Sequence, residues 1–314
     1  MKNILLLETI AEEANQLLSE AKDVAVFTAF TGLPPAEVLS QIDAVITRGL
    51  GQVNSALMDT CPQLVVAARC GVGLDNVDVA EASRRKIKVV NAPGSNASTV
   101  AEHTIALMLL LQRNLYQALN DVKSGNWAAR SSFKSDELGE KTLGILGLGN
   151  IGLKVAKIAE ALGMRVVYWS KSPKDVPYQY VSKAELLATA DLISIHVPLT
   201  AETSNLINAE ALSKVKPNCI IVNTARGQIV DKAALVDALN SGKLAGYGAD
   251  VPTSPAPTAD DALISHPKAL ITAHVSSLTA TTYKNMCVST VNNVLAILRG
   301  QEPVAGCIFN LKDL

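Results

Sequence analysis

Aromatic side chains are scarce: Phe, Trp and Tyr make up 4% of the 314 residues, against 48% for hydrophobic residues of all kinds. That balance argues against an all-β sandwich and fits buried parallel strands covered by Ala- and Leu-rich helices, an α/β fold. There is no Lys- or Arg-rich run and the formal net charge is -1, so the chain lacks an electrostatic footprint for nucleic acid and a small-molecule partner is favoured. The five cysteines, Cys61, Cys70, Cys219, Cys287 and Cys307, are widely spaced and form no C-x-x-C pair. They give neither a disulfide framework nor a zinc site, and no metal is expected; reduced thiols in a cytoplasm are. No apolar run approaches the ~18 residues that span a bilayer, and the opening MKNILLLETIAEE meets Glu8 early, so no membrane role or targeting segment is expected. The length favours two domains over one.

What is present is an alternation of short β-branched runs with amphipathic stretches. NILLLE, DVAVFTA, DAVITR, LVVAAR and IKVVN each read as a buried strand, with helices between them over segments such as 10–21 and 75–86. APGSNAS then breaks the pattern, and Ser98 or Thr99 is placed to cap one long apolar helix, VAEHTIALMLLLQRNLYQALNDV, read as the crossing between domains. TLGILGLG, RVVYWS, DLISIHV, CIIVNTA, LAGYGADV and ALITAH form a second strand series, which predicts a second doubly wound parallel sheet. A last amphipathic helix, about 279–299, returns the chain to the first domain.

LGILGLGNIG puts Gly147, Gly149 and Gly152 in G-x-G-x-x-G spacing, directly after a strand and directly before a helix. In that context Gly147 permits a tight turn, Gly149 lets the backbone approach a pyrophosphate, and Gly152 lets helix and strand pack closely. The Asp or Glu that meets a free ribose 2′-hydroxyl, normally ~20 residues on, is missing; Ser170 and Lys171 hold its place. They offer donors and a positive charge, so NADP(H) is the preferred cofactor and NAD(H) the second choice.

With these stretches in view, the chain resembles the D-isomer-specific 2-hydroxyacid dehydrogenase family over nearly its whole length. RCGVGLDNVD (69–78) is similar to the family's substrate loop, NAPGSNASTVAEHT (91–104) to its interdomain junction and GLGNIG to its dinucleotide fingerprint; HVPLT (196–200), NTARGQIVD (223–231) and GADV (248–251) follow in family order. The resemblance implies a substrate domain split between 1–96 and 286–314, an inserted dinucleotide-binding domain over 97–285, an active site in the cleft between them, and a homodimer. It further implies cofactor contacts from Thr99, Asn150, Ile151, His196, Val197, Pro198, Thr203, Thr224, Ala225, His274 and Ser276, with Asp250 accepting from the nicotinamide carboxamide. Arg48, the amides of Val72 and Gly73, and Arg226 are the implied substrate contacts.

The chemistry of a 2-oxo acid reductase can also be read from the residues. It needs a cation to hold the carboxylate, a hydride donor, and an acid for the developing alkoxide. Arg226 follows the strand CIIVNTA at its carboxyl end, where ligands bind in doubly wound sheets, and a guanidinium grips a carboxylate with two prongs. His274, ending ALITAH, can move a proton near neutrality and stands where the family has its general acid/base. His103 reads as a packed helix residue and His266 as a loop residue.

The family's catalytic glutamate falls at Pro255. Without a carboxylate beside it, His274 loses a charge that would favour its protonated form, so ketoacid reduction is expected to weaken at a lower pH than in relatives that keep the glutamate. Asp260 or Asp261 is the available substitute. The leading expectation is an NADP(H)-preferring enzyme interconverting a small 2-oxo acid and its D-2-hydroxy acid. The alternative is a nucleotide-sensing, catalytically weak regulatory protein on the same fold; oxidation of formate or phosphite ranks below both.

Overall fold

Each β-branched run of the N-terminal part forms a strand in the computed structural model, which describes residues 1–253 and 257–314. These strands are β1 (Lys2–Leu6), β2 (Val24–Thr28), β3 (Ala44–Thr47), β4 (Val66–Arg69) and β5 (Lys88–Val90), parallel and ordered β2-β1-β3-β4-β5. Ile4, Leu5, Val45, Ile46, Ala67 and Val89 are fully buried, as continuous apolar strands covered on both faces require. Helices α1 (Glu12–Glu20), α2 (Ala36–Leu39), α3 (Ser55–Thr60) and α4 (Val79–Arg84) connect them. The C-terminal helix Ala280–Leu298 adds Cys287, Val291, Val294 and Leu295 to the core formed by Ile4, Leu6, Ile46 and Ala68.

The second strand series gives β6 (Thr142–Leu146), β7 (Arg165–Trp169), β8 (Gln179–Tyr180), β9 (Leu192–Ile195), β10 (Cys219–Asn223), β11 (Leu244–Ala249) and β12 (Ala269–Ile271). All pair in parallel, in the order β12-β11-β10-β9-β6-β7-β8. Its helices are α5 (Ala97–Gln112), α6 (Leu115–Lys123), α7 (Asn150–Ala161), α8 (Lys183–Thr189), α9 (Ala209–Lys214) and α10 (Lys232–Asn240). The fold is thus two doubly wound parallel-sheet units, residues 1–96 with 278–314, and residues 97–277. The five cysteines are free and buried, and no described helix is long and apolar enough to cross a membrane.

Three local expectations change. The return to the first unit falls at Leu278 and not at 286, because the helix Ala280–Leu298 is unbroken and packs as one piece against α1 and β4. The single long helix divides at Asn114, whose φ of 47° is left-handed and ends the α5 hydrogen-bond ladder. Helix α5 already includes Ala97, so Ser98 and Thr99 lie inside its first turn and do not cap it.

In each sheet the winding direction reverses once. In the first this happens between β1 and β3, opening the loops that carry Glu8 and Arg48; in the second it happens between β6 and β9, opening those that carry Gly147 and His196. Doubly wound sheets bind ligands outside such switch points.

Candidate active site

The glycines after β6 have three different surroundings. Gly147 has φ 97°, and a Cβ on it would stand 2.8 Å from the His196 carbonyl carbon. A Cβ on Gly152 would run into the Gly147 carbonyl oxygen, whereas one on Gly149 would meet nothing within 4 Å. So Gly147 and Gly152 are required by close packing, and Gly149 leaves a ledge open to a ligand. Helix α7 begins at Asn150 and Ile151 with no side-chain cap, although Asn54, Asp78, Ser182, Asn208, Asp231 and Thr279 cap α3, α4, α8, α9, α10 and the C-terminal helix. Its N–H groups and dipole therefore face the ledge uncompensated, which is the environment a pyrophosphate takes. The donors fit a dinucleotide.

Around this ledge, Ser170 is buried and its Oγ accepts the Leu148 N–H at 3.0 Å, which fixes the turn. Lys171 is exposed and its Nζ lies 3.1 Å from Glu202 Oε2, a carboxylate that the sequence did not bring to this place. His196 shares a 2.8 Å hydrogen bond with Ser194 Oγ, and burial pushes its pKa down to about 3. It is a neutral wall, not a proton donor at physiological pH. Val197 is buried beside Gly147, and the Thr203 hydroxyl donates to the exposed Pro198's carbonyl at 2.6 Å while accepting the Thr200 N–H at 2.8 Å. Thr203 shapes the loop through its own chain.

Arg226 leaves the end of β10 through a knot made by Asn223, which is fully buried. Asn223 Nδ2 donates to the Arg226 carbonyl at 2.9 Å and its Oδ1 accepts the Ala225 N–H at 3.0 Å, while Arg226 Nη1 donates to the Ala225 carbonyl at 2.7 Å. The neighbouring Thr224 hydroxyl lies 3.0 Å from that of Thr104 on α5, the helix that also carries the buried Thr99. Gly227 packs so tightly on the Pro252 backbone that a Cβ would overlap it.

His274 is exposed and has φ 56°, uncommon for a residue other than glycine. Asp250 holds the turn around it: Oδ1 accepts the Thr272 hydroxyl at 2.6 Å and the Val275 N–H at 2.8 Å, and Oδ2 accepts the Ser276 N–H at 2.8 Å. Burial raises the Asp250 pKa, but hydrogen bonds from Ser276 and Thr272 outweigh it and hold the carboxyl below the usual range. Asp250 is fully buried. Asp250 is therefore an anchor of the His274 turn, with three donors of its own chain on its carboxylate. His103 is more than a packing residue, its Nε2 lying 2.9 Å from the Thr272 hydroxyl and 3.8 Å from Asp250. His266 accepts the Lys268 N–H in a local turn.

Pro255, where the family glutamate would stand, lies outside the described residues. Of the proposed substitutes, Asp261 is engaged by Lys232 Nζ of α10 at 2.5 Å and by the Leu263 N–H of its own loop at 2.9 Å; Asp260 is exposed.

In the first unit, Arg48 borders a cavity of about 250 Å³ together with Leu278, Thr279, Ala280 and Tyr283. The Val72 carbonyl accepts Asn91 Nδ2 at 2.8 Å and the Gly73 carbonyl accepts Arg69 Nη1. Among the described residues, the Val72 and Gly73 amides donate to no protein acceptor, which leaves them for an anion. Arg69 was not singled out by sequence reasoning, yet its Nε also donates to the Arg48 carbonyl at 2.7 Å, tying the loops after β3 and β4 together. The available signal was its position, a strand-end arginine before a glycine turn, the same context that drew attention to Arg226.

A glycine turn feeding an uncapped helix at a Rossmann switch point, in a chain that also presents a strand-end arginine and histidine, defines a nicotinamide-dependent oxidoreductase. Residues 105–276 match the family model described as D-isomer specific 2-hydroxyacid dehydrogenase, NAD binding domain, and the chain belongs to that family. It is 35% identical over 292 residues to the hydroxypyruvate reductase of Thermotoga maritima, covering 91% of this chain and 95% of that one. It is also 35% identical over 305 residues to the D-3-phosphoglycerate dehydrogenase of Archaeoglobus fulgidus, covering 95% of this chain but spanning only 57% of that relative's length. Among solved structures, the NADPH-dependent glyoxylate/hydroxypyruvate reductase of Sinorhizobium meliloti superposes with a TM-score of 0.87 at 31% identity, covering 97% of each chain.

Proposed function

We propose that the protein reduces a small 2-oxo acid to its D-2-hydroxy acid, with NADP(H) preferred over NAD(H). The observation that carries this reading is the His274 turn: a solvent-facing imidazole in a left-handed conformation, held by a buried carboxylate at Asp250. Strain of that kind persists where the surrounding structure enforces it, and it clusters at sites of chemistry.

When bound, a nicotinamide dinucleotide would supply the hydride. Gly147, Gly149, Asn150, Ile151 and Gly152 would hold its pyrophosphate on the uncapped start of α7. Arg226 grips the substrate carboxylate and draws charge toward the carbonyl oxygen. In the first unit, the amides of Val72 and Gly73 and the Arg48 side chain are donors suited to an anion. His274 gives its proton to the oxygen as charge develops there, and takes one in the reverse direction. Thr99, His196, Val197, Pro198, Thr203, Thr224, Ala225 and Ser276 shape the wall along the cofactor.

Ser170 and Lys171 support the NADP(H) preference, as does the NADPH dependence named for the Sinorhizobium meliloti reductase. A 2′-phosphate would compete with Glu202 for Lys171, since an exposed ion pair of ~1 kcal/mol or less is readily exchanged. The test is loss of reduced-nicotinamide absorbance across 2-oxo acids from glyoxylate to phenylpyruvate, with each coenzyme. Turnover is expected to favour NADPH, and Lys171→Ala to reduce that preference by about tenfold, the size of one charge-assisted contact. A preference unmoved by Lys171→Ala removes the assignment, and tight nucleotide binding without turnover favours the sensing protein.

The protein acts as a homodimer. No residue of α6 is buried, and Leu115, Tyr116, Leu119, Val122 and Trp127 expose apolar surface along it and the turn that follows. A two-fold pairing covers the same patch on both copies. Sedimentation at the mass of two chains is expected, with the Leu119→Lys, Val122→Lys double variant at one; a monomeric wild type at micromolar concentration would refute it.

A further inference from the structure

The loop after β3 contains an anion nest, and the protein fills it with its own carboxylate. Four successive amides, those of Arg48, Gly49, Leu50 and Gly51, donate to Glu8 Oε1 at 3.0, 2.8, 2.9 and 2.9 Å, and the Thr47 hydroxyl lies 2.8 Å from the same oxygen. Convergent amides of this kind bind phosphates and carboxylates of ligands. Burial acts against the ionised form of Glu8, but the amides of Gly51, Gly49 and Arg48 and the Thr47 hydroxyl prevail and hold its pKa at about 2. The nest is occupied by a permanent negative charge.

That charge stands beside Arg48. Glu8 Oε2 lies 3.8 Å from Arg48 Nε, and Arg48 Nη1 donates to the Tyr283 hydroxyl at 3.3 Å, with the guanidinium carbon 5.4 Å from the ring centre. The loop cannot easily move away from Glu8. A Cβ on Gly51 would stand 2.6 Å from Leu7 Cβ, Asn76 Nδ2 donates to the Gly51 carbonyl at 2.7 Å, and Arg69 holds the Arg48 carbonyl. Glu8 and Arg48 both lie at the switch point of the first sheet, where a ligand is expected.

We propose that Glu8 positions Arg48 and sets the charge preference of the site, favouring 2-oxo acids whose only anionic group is the reacting carboxylate over those with a second carboxylate or a phosphate. This rests on the reading of Arg48 as a substrate contact. A second anionic group finds the amide nest taken and Arg48 already offset by a neighbouring carboxylate. The preference places the substrate with glyoxylate- and hydroxypyruvate-like acids.

Glu8→Gln retains an acceptor oxygen for the amides and removes the charge. It is expected to raise kcat/KM for 2-oxoglutarate or oxaloacetate relative to glyoxylate by about fivefold, the upper range for a partly exposed charge pair. Coenzyme KM is expected to stay unchanged. In an Arg48→Met background the same substitution is expected to shift the substrate ratio less, because the two residues act together. Arg48→Met alone is expected to shift the ratio in the opposite direction, so the inference can be tested even if Glu8→Gln does not fold. An unchanged ratio in either single variant, or equal shifts with and without Arg48, overturns the inference alone. A folded wild type inert toward all 2-oxo acids overturns the proposed reaction as well.

Discussion

Replacing His274 with asparagine is expected to lower kcat for 2-oxo acid reduction by about 10²- to 10⁴-fold, the range for loss of a positioned general acid. Asparagine is the informative choice because it tolerates the left-handed conformation that residue 274 adopts, with φ 56°. The turn then keeps its Asp250 anchors at Thr272, Val275 and Ser276. What is lost is a side chain able to give and take a proton. Tm is expected to match the wild type. A variant that keeps wild-type kcat would move the acid to another residue, with His103, 2.9 Å from the Thr272 hydroxyl, as the alternative.

The second large effect is expected at Arg226. Arg226→Lys preserves charge but replaces a planar fork with a point charge, so a carboxylate is no longer held by two parallel hydrogen bonds. A loss of about 10²- to 10³-fold in kcat/KM is expected for Arg226→Lys, comparable to removing one donor from a preorganised oxyanion site. Asn223 holds the backbone here through the Arg226 carbonyl and the Ala225 N–H, so both coenzyme affinity and Tm are expected to survive. Partial recovery of an Arg226→Ala variant by added guanidinium would tie the loss to the missing fork. Wild-type kcat/KM in Arg226→Lys would show that geometry at this position is unimportant.

Much of the fold could be read locally because parallel strands buried on both faces leave continuous apolar runs, and glycines and polar residues punctuate them. NILLLE and CIIVNTA became β1 and β10 for that reason. The two-residue β8 is too short to leave a period, and the break at Asn114 depends on one backbone conformation within an otherwise apolar helical stretch. The cofactor turn was legible because its glycines, strand and helix are contiguous. Glu8 was not: the amides it binds lie 40–43 positions along the chain, and nothing next to Glu8 announces them. In the sequence it registered only as an interruption of an apolar start. Asp250 was noticed for a ligand contact, while its bonds to Thr272, Val275 and Ser276 depend on the parallel pairing of β11 with β12. Lys171 was read as an unshared charge because Glu202 reaches it from the loop after another strand.

The Asp250 anchor has a consequence for how efficiently a proton can be delivered. Since its carboxylate is committed to the residues on both sides of His274, the backbone of the proposed donor is oriented when the chain folds. The entropy of aligning it is lost once, at folding, and need not be lost again in each turnover; little reorganisation then accompanies the approach to the transition state.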